Sequence, residues 1–294
     1  MSTFLNLKDD RSENISYDDT EYPIYIRRFC LSSYPNYAAP SHWHDDIEWI
    51  LILGGSMEYN VNGTLIKLEA GEGIFVNSRQ MHFGFSTTHQ ECDFICILLH
   101  PMTLCLTPGI ERNYIVPVVQ NTAIPYIHFA DTKWHTELMD GIRKIYDLKN
   151  TDAAVLKIQS VFSWMWASIY EHMPRPAGEK EKANTDLSTL KKMLGFIQQH
   201  YCEKISLEQI ALSGNVGQSK CCKLFQMYIR QTPNAYLNGY RLNKSTELLF
   251  GSDLNIAEIA YEVGFSGASY YAEAFRKCFG ISPSEYRKCP KHHL

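Results

Sequence analysis

The sequence predicts a multi-domain protein, with an all-β barrel and a helical pair in its N-terminal part and an all-α double helix-turn-helix at its C-terminus. Three observations predict this fold class. Short alternating apolar runs separated by glycine-rich turns occupy residues 22–100, and a helical apolar period follows residue 131. A two-helix pattern then occurs twice, at residues 210–236 and 259–286. A chain of 294 residues has room for two ordinary domains.

The N-terminal 21 residues are polar and rich in aspartate, so we expect them to form a flexible arm. They contain no apolar run preceded by positive charge, as a secretory signal would, and this favours a cytoplasmic protein. No segment approaches the roughly 20 apolar residues that span a membrane, so no membrane partner is expected. The nine cysteines follow no metal-ligand spacing and indicate reduced thiols.

The barrel is predicted from short strands and the turns between them. Asn62-Gly63 lies between two alternating runs, and this dipeptide favours a two-residue hairpin because a type I′ turn needs positive φ at both central positions. Gly54-Gly55 and residues 71–73 are expected to form further turns. Many short strands of this kind favour a barrel or a sandwich. The predicted strands are Ile24–Phe29, Ile47–Leu53, Met57–Val61, Thr64–Leu68, Ile74–Val76 and Phe94–Leu99.

Residues 111–172 are predicted to form a linking segment and two helices. The second helix contains Trp164, Met165 and Trp166 in succession, so it is apolar on more than one face. Two interpretations remain open: the helix forms the seam of a homodimer, or it covers the barrel within one chain. Residues 173–186 combine prolines, glycine and dense charge, which predicts a linker.

The charge is distributed unevenly about this linker. The whole chain has a net charge of −4, but from Asp186 onward 13 lysines and arginines stand against 9 acidic residues, a net charge of +4. Residues 1–185 therefore carry −8. The C-terminal part can contact phosphates, whereas the N-terminal part would be repelled by them.

The repeated pattern predicts an all-α domain over residues 187–290, with helix-turn-helix units at about 207–228 and 256–279. Asn215 and Gly264 occupy equivalent turn positions, and both residue types tolerate a left-handed backbone. Two copies are too few for a solenoid. If the long helix between them separates the units by about 34 Å, both second helices can enter successive major grooves of double-stranded DNA.

The segment that ends at Arg287 (IAEIAYEVGFSGASYYAEAFRKCFGISPSEYR) closely resembles the signature of AraC/XylS transcriptional regulators. The resemblance covers roughly the last 100 residues. It implies a sequence-specific DNA-binding regulator whose recognition helices are Gln218–Tyr228 and Ser269–Phe279, with RNA polymerase as a further partner.

The same resemblance, taken position by position, implies the residues that contact DNA. A lysine can donate to guanine and a glutamate can accept from cytosine, although Glu273 stands where the family usually has arginine. The alternative for each position is a solvated helix face. The implied base-edge contacts are Ser219, Cys222, Lys223, Ser269, Tyr270 and Glu273. The implied phosphate contacts are Lys220, Arg241, Lys244, Arg276 and Lys277.

The barrel segment resembles the two motifs of cupins, which makes residues 22–110 a cupin-like effector-sensing barrel by resemblance. The first motif is His42-x-His44-x3-Glu48-x6-Gly55, and His82 lies nine residues after Gly73 in a less typical second motif. Equivalents of His42, His44, Glu48 and His82 ligate a divalent ion in metal-binding cupins, and this ligand set suits Fe, Mn, Zn or Ni. The other interpretations are contact with a small-molecule effector, such as a sugar, and a structural role. Further pocket candidates are Arg28, Trp43 and Trp49.

Two competing functions remain. A metal-dependent cupin enzyme fused to a helical module would leave the charge asymmetry and the repeated signature without a role, and no nucleophile, phosphate loop or cofactor fingerprint is found elsewhere. We therefore expect no enzyme activity. A purely architectural DNA binder, with a barrel closed by bulky side chains, is the second alternative.

Overall fold

The computed structural model describes residues 5–7, 11–19, 21–130, 132–174, 185–229 and 231–288. The chain divides between residues 185 and 186 into an N-terminal and a C-terminal unit. Most of the predicted linker, residues 175–184, lies outside the described residues. None of the described helices has both the length and the apolar composition of a membrane span.

The described part of the N-terminal unit contains a seven-stranded antiparallel sheet in the order β1-β6-β2-β4-β7, with β3 and β5 also paired to β2. The prediction of an all-β N-terminal region is thereby confirmed. Strands β5 and β7 were not predicted, because runs of four residues give too little alternation to detect. The strands are β1 Ile24–Cys30, β2 Ile47–Val61, β3 Thr64–Glu69, β4 Gly73–Val76, β5 His82–Phe85, β6 Cys92–Leu99 and β7 Tyr126–Phe129.

Strand β2 is continuous through Gly54-Gly55, where the sequence predicted a turn, and that prediction is wrong. The pairing of β2 with β6 shifts register between Ile52 and Gly54, which is a β-bulge. Gly55 has φ +74°, and a Cβ atom there would lie 2.0 Å from the carbonyl oxygen of Glu91. Glycine at this position therefore allows β2 to bend, and this one strand pairs with strands in both halves of the sheet. The Asn62-Gly63 hairpin is confirmed, with φ values of 51° and 87°.

Two long helices, α3 (Lys133–Leu148) and α4 (Ala154–His172), pack on the outer face of this sheet. The fully buried ring of Trp49 lies there, with its centroid 5.0 Å from that of Phe75 and 6.4 Å from that of Phe162. Trp49 was a pocket candidate, and the structure places it in this core instead. The chain between β6 and β7 forms the short helices α1 (Pro108–Ile110) and α2 (Val116–Val119), which one π-helical turn joins.

Residues 11–19 lie against the barrel, whereas the sequence predicted a flexible arm. The amide of Glu13 donates to the carbonyl oxygen of Trp43 at 2.9 Å, and the Tyr17 hydroxyl donates to the Asp46 carboxylate at 3.0 Å. Asp18 forms an ion pair with Arg27. These partners belong to segments distant in sequence, so the polar composition of the arm did not reveal the packing.

The described residues of the C-terminal unit form seven helices, which contain two helix-turn-helix units, α6-α7 and α9-α10, with α8 packed against both. The predicted left-handed turn residues are confirmed, since Asn215 has φ 55° and Gly264 has φ 86°. Capping boxes begin both first helices, at Ser206 and Asn255. The helices are α5 Thr185–His200, α6 Leu207–Ser213, α7 Gln218–Ile229, α8 Pro233–Gly251, α9 Ile256–Glu262, α10 Ala268–Phe279 and α11 Pro283–Lys288.

Candidate functional sites

A cavity of about 40 Å³ lies inside the barrel. Its walls are mainly aromatic and aliphatic side chains from β1, β2 and β6, and its polar groups include Glu13, His42, Glu48 and Tyr59. A space of this size holds only a few water molecules, since each needs roughly 10–15 Å³ by this measure. Pockets for organic ligands are commonly about 300–1,000 Å³. The cavity is therefore too small for an organic ligand in this conformation, and Leu5 of the N-terminal segment is part of its wall.

Four side chains predicted from the cupin resemblance meet at the polar end of the cavity. His42, His44, Glu48 and His82 are all buried, and each offers one ligand atom within 4.8 Å of the others. The strand geometry causes this convergence, because His42 and His82 exchange backbone hydrogen bonds of 3.1 and 2.9 Å. Glu48 lies at the start of β2, beside them.

The ring orientation of each histidine is set by a backbone carbonyl. The Nδ1 atom of His42 lies 2.9 Å from Pro40 O, that of His44 lies 3.1 Å from Asp46 O, and that of His82 lies 2.9 Å from Gln80 O. A carbonyl oxygen can only accept, so each Nδ1 carries the hydrogen. The Nε2 atoms of the three rings face the carboxylates of Glu13 and Glu48.

Glu48 is oriented from its other side. Its Oε1 atom accepts from the Tyr59 hydroxyl at 3.1 Å and from the Cys96 thiol at 3.7 Å. Its Oε2 atom lies 2.5 Å from His82 Nε2 and 3.4 Å from His44 Nε2. These two Nε2 atoms and Oε2 have no hydrogen-bond partner of acceptable geometry among the described residues. Glu48 thus forms an ion pair with each of the two imidazoles when that ring carries a proton on Nε2.

The ionisation of the cluster follows from burial and from neighbouring charge. Burial alone would raise the pKa of Glu48, but the adjacent His82 and His44 outweigh it and hold this pKa well below its usual range. Burial, together with His82 and His44, lowers the pKa of His42, so its ring is neutral. Burial also raises the pKa of Glu13 to about 7; its Oε2 atom lies 3.6 Å from His42 Nε2.

This donor set fits a divalent transition-metal ion. Three imidazole nitrogens and one carboxylate oxygen are ligands that Fe, Mn, Zn and Ni accept. Each imidazole donates its other N–H group to a carbonyl, as ligating histidines commonly do. An ion held here by His42, His44, Glu48 and His82 would supply a Lewis-acidic centre at the end of the cavity.

The other predicted effector residues lie elsewhere. Arg28 is exposed and forms a two-pronged pair with Asp93, with its Nη2 atom 2.5 Å from Asp93 Oδ2, so it does not line the cavity. Trp43 is half-buried and pairs through its backbone with the N-terminal segment. Sequence reasoning missed Glu13, Tyr59 and Cys96. Tyr59 and Cys96 were detectable only once their strands were known to face inward.

Helices α7 and α10, the second helices of the two helix-turn-helix units, present most of the predicted DNA-contacting residues to solvent. The opposite faces are buried, through Cys221 and Phe225 on α7 and through Tyr271 and Phe275 on α10. Cys222 is half-buried on α7. The exposed predicted residues are Ser219, Lys220 and Lys223 on α7, and Ser269, Tyr270, Glu273, Arg276 and Lys277 on α10.

Several of these side chains have partners within the C-terminal unit. Lys220 Nζ lies 2.8 Å from Asp186 Oδ1, and the Tyr270 hydroxyl accepts from the Asn238 side-chain amide at 3.0 Å. Lys244 is half-buried on α8, with Nζ 3.2 Å from Glu247 Oε1. DNA would have to compete with these contacts.

Arg241 was predicted to contact a phosphate, and the structure contradicts this. The side chain is buried within the C-terminal unit. Its Nε group donates to Tyr201 O at 2.7 Å and its Nη2 group donates to Glu203 O at 2.8 Å. A guanidinium occupied in this way joins α8 to the segment after α5 and is not presented to DNA.

Comparison with known proteins supports both the helix-turn-helix domain and the cupin-like barrel. A family model described as a helix-turn-helix domain matches residues 210–289, and one described as a cupin domain matches residues 33–98. The HTH-type transcriptional regulator YdeC of Bacillus subtilis, which is itself uncharacterized, is 30% identical over 294 residues, 98% of this chain and 99% of YdeC.

Two further similarities extend over most of the chain. The melibiose operon regulatory protein of Escherichia coli is 24% identical over 278 residues, 91% of this chain and 89% of that protein. A crystal structure of ToxT from Vibrio cholerae covers 92% of this chain and 98% of its own, with 13% identity and a TM-score of 0.42. From the match to YdeC along nearly the whole length, together with the two domain matches, the chain belongs to the AraC/XylS family of helix-turn-helix transcriptional regulators.

Proposed function

We propose that this regulator reads two adjacent segments of double-stranded DNA with α7 and α10, and that a small-molecule effector in the barrel changes its DNA binding. The exposed faces of α7 and α10 carry the residues proposed for base contact, and Lys220, Arg276 and Lys277 are proposed to contact phosphates. Helix α8, with 19 residues, is about 28 Å long and connects the two units.

The observation that carries the effector proposal is the cavity inside the barrel. Its polar end offers His42, Glu48 and Tyr59, while rings such as Tyr25 and Tyr34 form the wall. Hydroxyl groups of a sugar could bond to the polar end, and its C–H face could lie on the rings. The name of the melibiose operon relative points to the same class, so sugars are the first effectors to test.

Effector binding requires part of the wall to move, because the cavity of about 40 Å³ is smaller than a sugar. An effector that binds only the opened barrel shifts the population toward that state. Such a shift can alter DNA binding if the two states hold the reading helices of a dimer differently. This difference between states is the proposed basis of regulation.

A homodimer is part of the proposal. Helix α4 covers the barrel with one face and leaves Leu156 and Trp164 of another face 73% and 47% exposed. Large apolar side chains exposed on one helix favour association with a second copy. We further propose a cytoplasmic location and RNA polymerase as a partner, as regulation of transcription requires access to both DNA and polymerase.

A sensing barrel is favoured over a metal-dependent enzyme. The relative that matches along nearly the whole chain is a transcriptional regulator. An architectural DNA binder whose barrel is closed by bulky side chains is disfavoured, because the barrel contains a cavity with polar groups in its wall.

The proposal is tested with full-length protein and a sugar library. Thermal shift identifies binders, and DNA affinity is then measured with and without each one. Tyr59→Phe should weaken effector binding, whereas Tyr114→Phe, on a half-exposed tyrosine outside the cavity, should not. A sugar that binds and changes DNA affinity supports the proposal. Sugars that bind without any effect on DNA affinity or oligomeric state would contradict the coupling.

A further inference from the structure

A surface pocket of about 420 Å³ is lined by the segment that joins β1 to β2. Its wall consists of residues 32–37 together with His89. Pockets for organic ligands commonly have volumes of about 300–1,000 Å³. The surface pocket therefore has the volume that the barrel cavity, at about 40 Å³, lacks.

The same segment of chain contributes to the walls of both spaces. Leu31, Tyr34 and Ala39 line the cavity, and residues 32–37 line the pocket. Among the described residues, Tyr34 is the one that lines both. It is only 7% exposed. A displacement of Tyr34 would therefore join the cavity to the pocket.

The two ends of this segment are bonded to other parts of the barrel, and Tyr34 lies between them. At one end the amide of Ser32 donates to the Glu91 carboxylate at 3.1 Å. At the other end the amide of Ala39 donates to Gly84 O at 3.0 Å. The amide of Tyr34 itself donates to a carbonyl three residues earlier, at 3.1 Å. Tyr34 can therefore move while both ends of the segment stay in place.

Two further features of the segment indicate a second conformation. Asn36 and Tyr37 have φ values of 55° and 53°, a strained backbone for a tyrosine, and strain of this kind is concentrated at ligand sites and switch regions. The Oγ atom of Ser33 is buried without a hydrogen-bond partner among the described residues. Leaving a buried hydroxyl unpaired is costly, and a ligand could provide its partner.

We infer that the surface pocket is the outer part of the effector site, and that Tyr34 separates it from the barrel cavity until an effector binds. The inference rests on the proposed effector function and gives that effector a location. The described wall of the pocket contains hydroxyl, amide and aromatic groups but no carboxylate, lysine or arginine. The rings of Tyr37 and His89 are stacked there, with centroids 5.3 Å apart. The ligand class that fits is a neutral molecule with hydroxyl groups.

Cys96 provides a test that needs no effector, because its side chain is buried in the wall of the cavity. Full-length protein is treated with iodoacetamide, and the modification of each cysteine is followed by mass spectrometry. Tyr34→Ala should accelerate modification of Cys96 severalfold, and Tyr34→Phe should leave it near the wild-type rate. Cys92 is the internal control, since it is buried on the same strand but does not line the cavity. An unchanged rate at Cys96, or equal acceleration at Cys92, would overturn the role of Tyr34.

Ser32→Trp tests the same connection in the opposite direction. Ser32 is exposed and lines the pocket, so a tryptophan there would fill the pocket and should slow modification of Cys96 severalfold. Thr64→Trp, on an exposed residue of β3 outside the pocket, is the matched control and should leave the rate unchanged. A Ser32→Trp protein in which Cys96 reacts as fast as in wild type would contradict the connection.

Leu5→Ala tests the rival opening at the N-terminal segment, because Leu5 also lines the cavity. This variant should not change the rate at Cys96. Faster modification in Leu5→Ala, with no change in Tyr34→Ala, would place the opening at the N-terminal segment and overturn the inference.

The sugar library then tests the outer part of the site. A sugar that binds wild-type protein should bind Ser32→Trp much more weakly and Thr64→Trp equally well. Equal affinity of Ser32→Trp and wild type would overturn the location of the site. If no sugar binds wild-type protein, the sugar proposal fails, and the rates at Cys96 alone decide whether Tyr34 separates the two spaces.

Discussion

The guanidinium of Arg241 donates a hydrogen bond of 2.7 Å to the backbone carbonyl of Tyr201. A second hydrogen bond, of 2.8 Å, reaches Glu203 O. The segment after α5 is thus joined to the middle of α8. Gly264 lies at the same point, where an added Cβ atom would be 2.9 Å from Arg241 Nη2.

Arg241→Ala should therefore destabilise the C-terminal unit by about 2–3 kcal/mol, because two charge-assisted hydrogen bonds are lost and two buried carbonyls are left without donors. Hydrogen exchange in peptides from α5 and α8 of the full-length protein measures this loss. Arg276→Ala, on an exposed residue of α10, is the control and should leave exchange unchanged. If Arg241→Ala exchanged at the same rate as wild type but bound DNA more weakly, Arg241 would be a phosphate contact after all.

Gly264→Ala should destabilise the second helix-turn-helix unit by about 2 kcal/mol or more. Its φ of +86° strains any residue with a side chain, and the new Cβ atom would lie 2.5 Å from Tyr201 O. Gly239→Ala is the matched control, since its Cβ atom meets nothing within 4 Å inside α8 and alanine favours a helix by about 0.5–1 kcal/mol. Hydrogen exchange in peptides from α9 and α10 distinguishes the two variants. Equal changes in exchange would mean that the left-handed turn at Gly264 does not determine the stability of this unit.

Lys223→Ala should cost about 1–3 kcal/mol of binding to a preferred DNA site and relax selectivity at one base position. The side chain is exposed on α7, where it can donate to guanine. Lys192→Ala removes the same charge from an exposed position on α5 and should have little effect. Competition binding against a set of single-base variants gives the answer. An equal loss on every sequence would identify a phosphate contact.

Leu156→Glu should shift the protein from dimer toward monomer. Leu156 is 73% exposed on α4, and a buried glutamate in an apolar seam would be unpaired. Leu65→Glu, on a leucine 59% exposed on β3, is the control. Analytical ultracentrifugation over micromolar concentrations measures the equilibrium. A Leu156→Glu protein that dimerises as strongly as wild type would exclude this face of α4.

What the sequence predicted correctly depends on local conformation. Asn62-Gly63, Asn215 and Gly264 adopt positive φ in the structure, because the preference belongs to the residues themselves. The cupin spacing correctly brought His42, His44, Glu48 and His82 together, because pairing of two strand ends fixes their positions.

What it missed depends on partners distant in sequence. Gly54-Gly55 resembles a turn, but it bends a continuous strand because the backbone at Glu91 approaches it. Arginine is a residue type that commonly contacts phosphates, and only the fold shows that the Arg241 guanidinium donates to two backbone carbonyls. Glu13 lies in a polar segment without periodicity, so nothing local indicated its approach to His42.

The central claim is that two helix-turn-helix units of one chain read adjacent segments of DNA. Selection of random duplex DNA by the full-length protein, followed by repetition with Lys223→Ala and Glu273→Ala, tests it most directly. We predict a site with two contacted segments about one helical turn apart, with the α7 variant relaxing one segment and the α10 variant the other. A single contacted segment, or the absence of enrichment at low salt, would contradict the account.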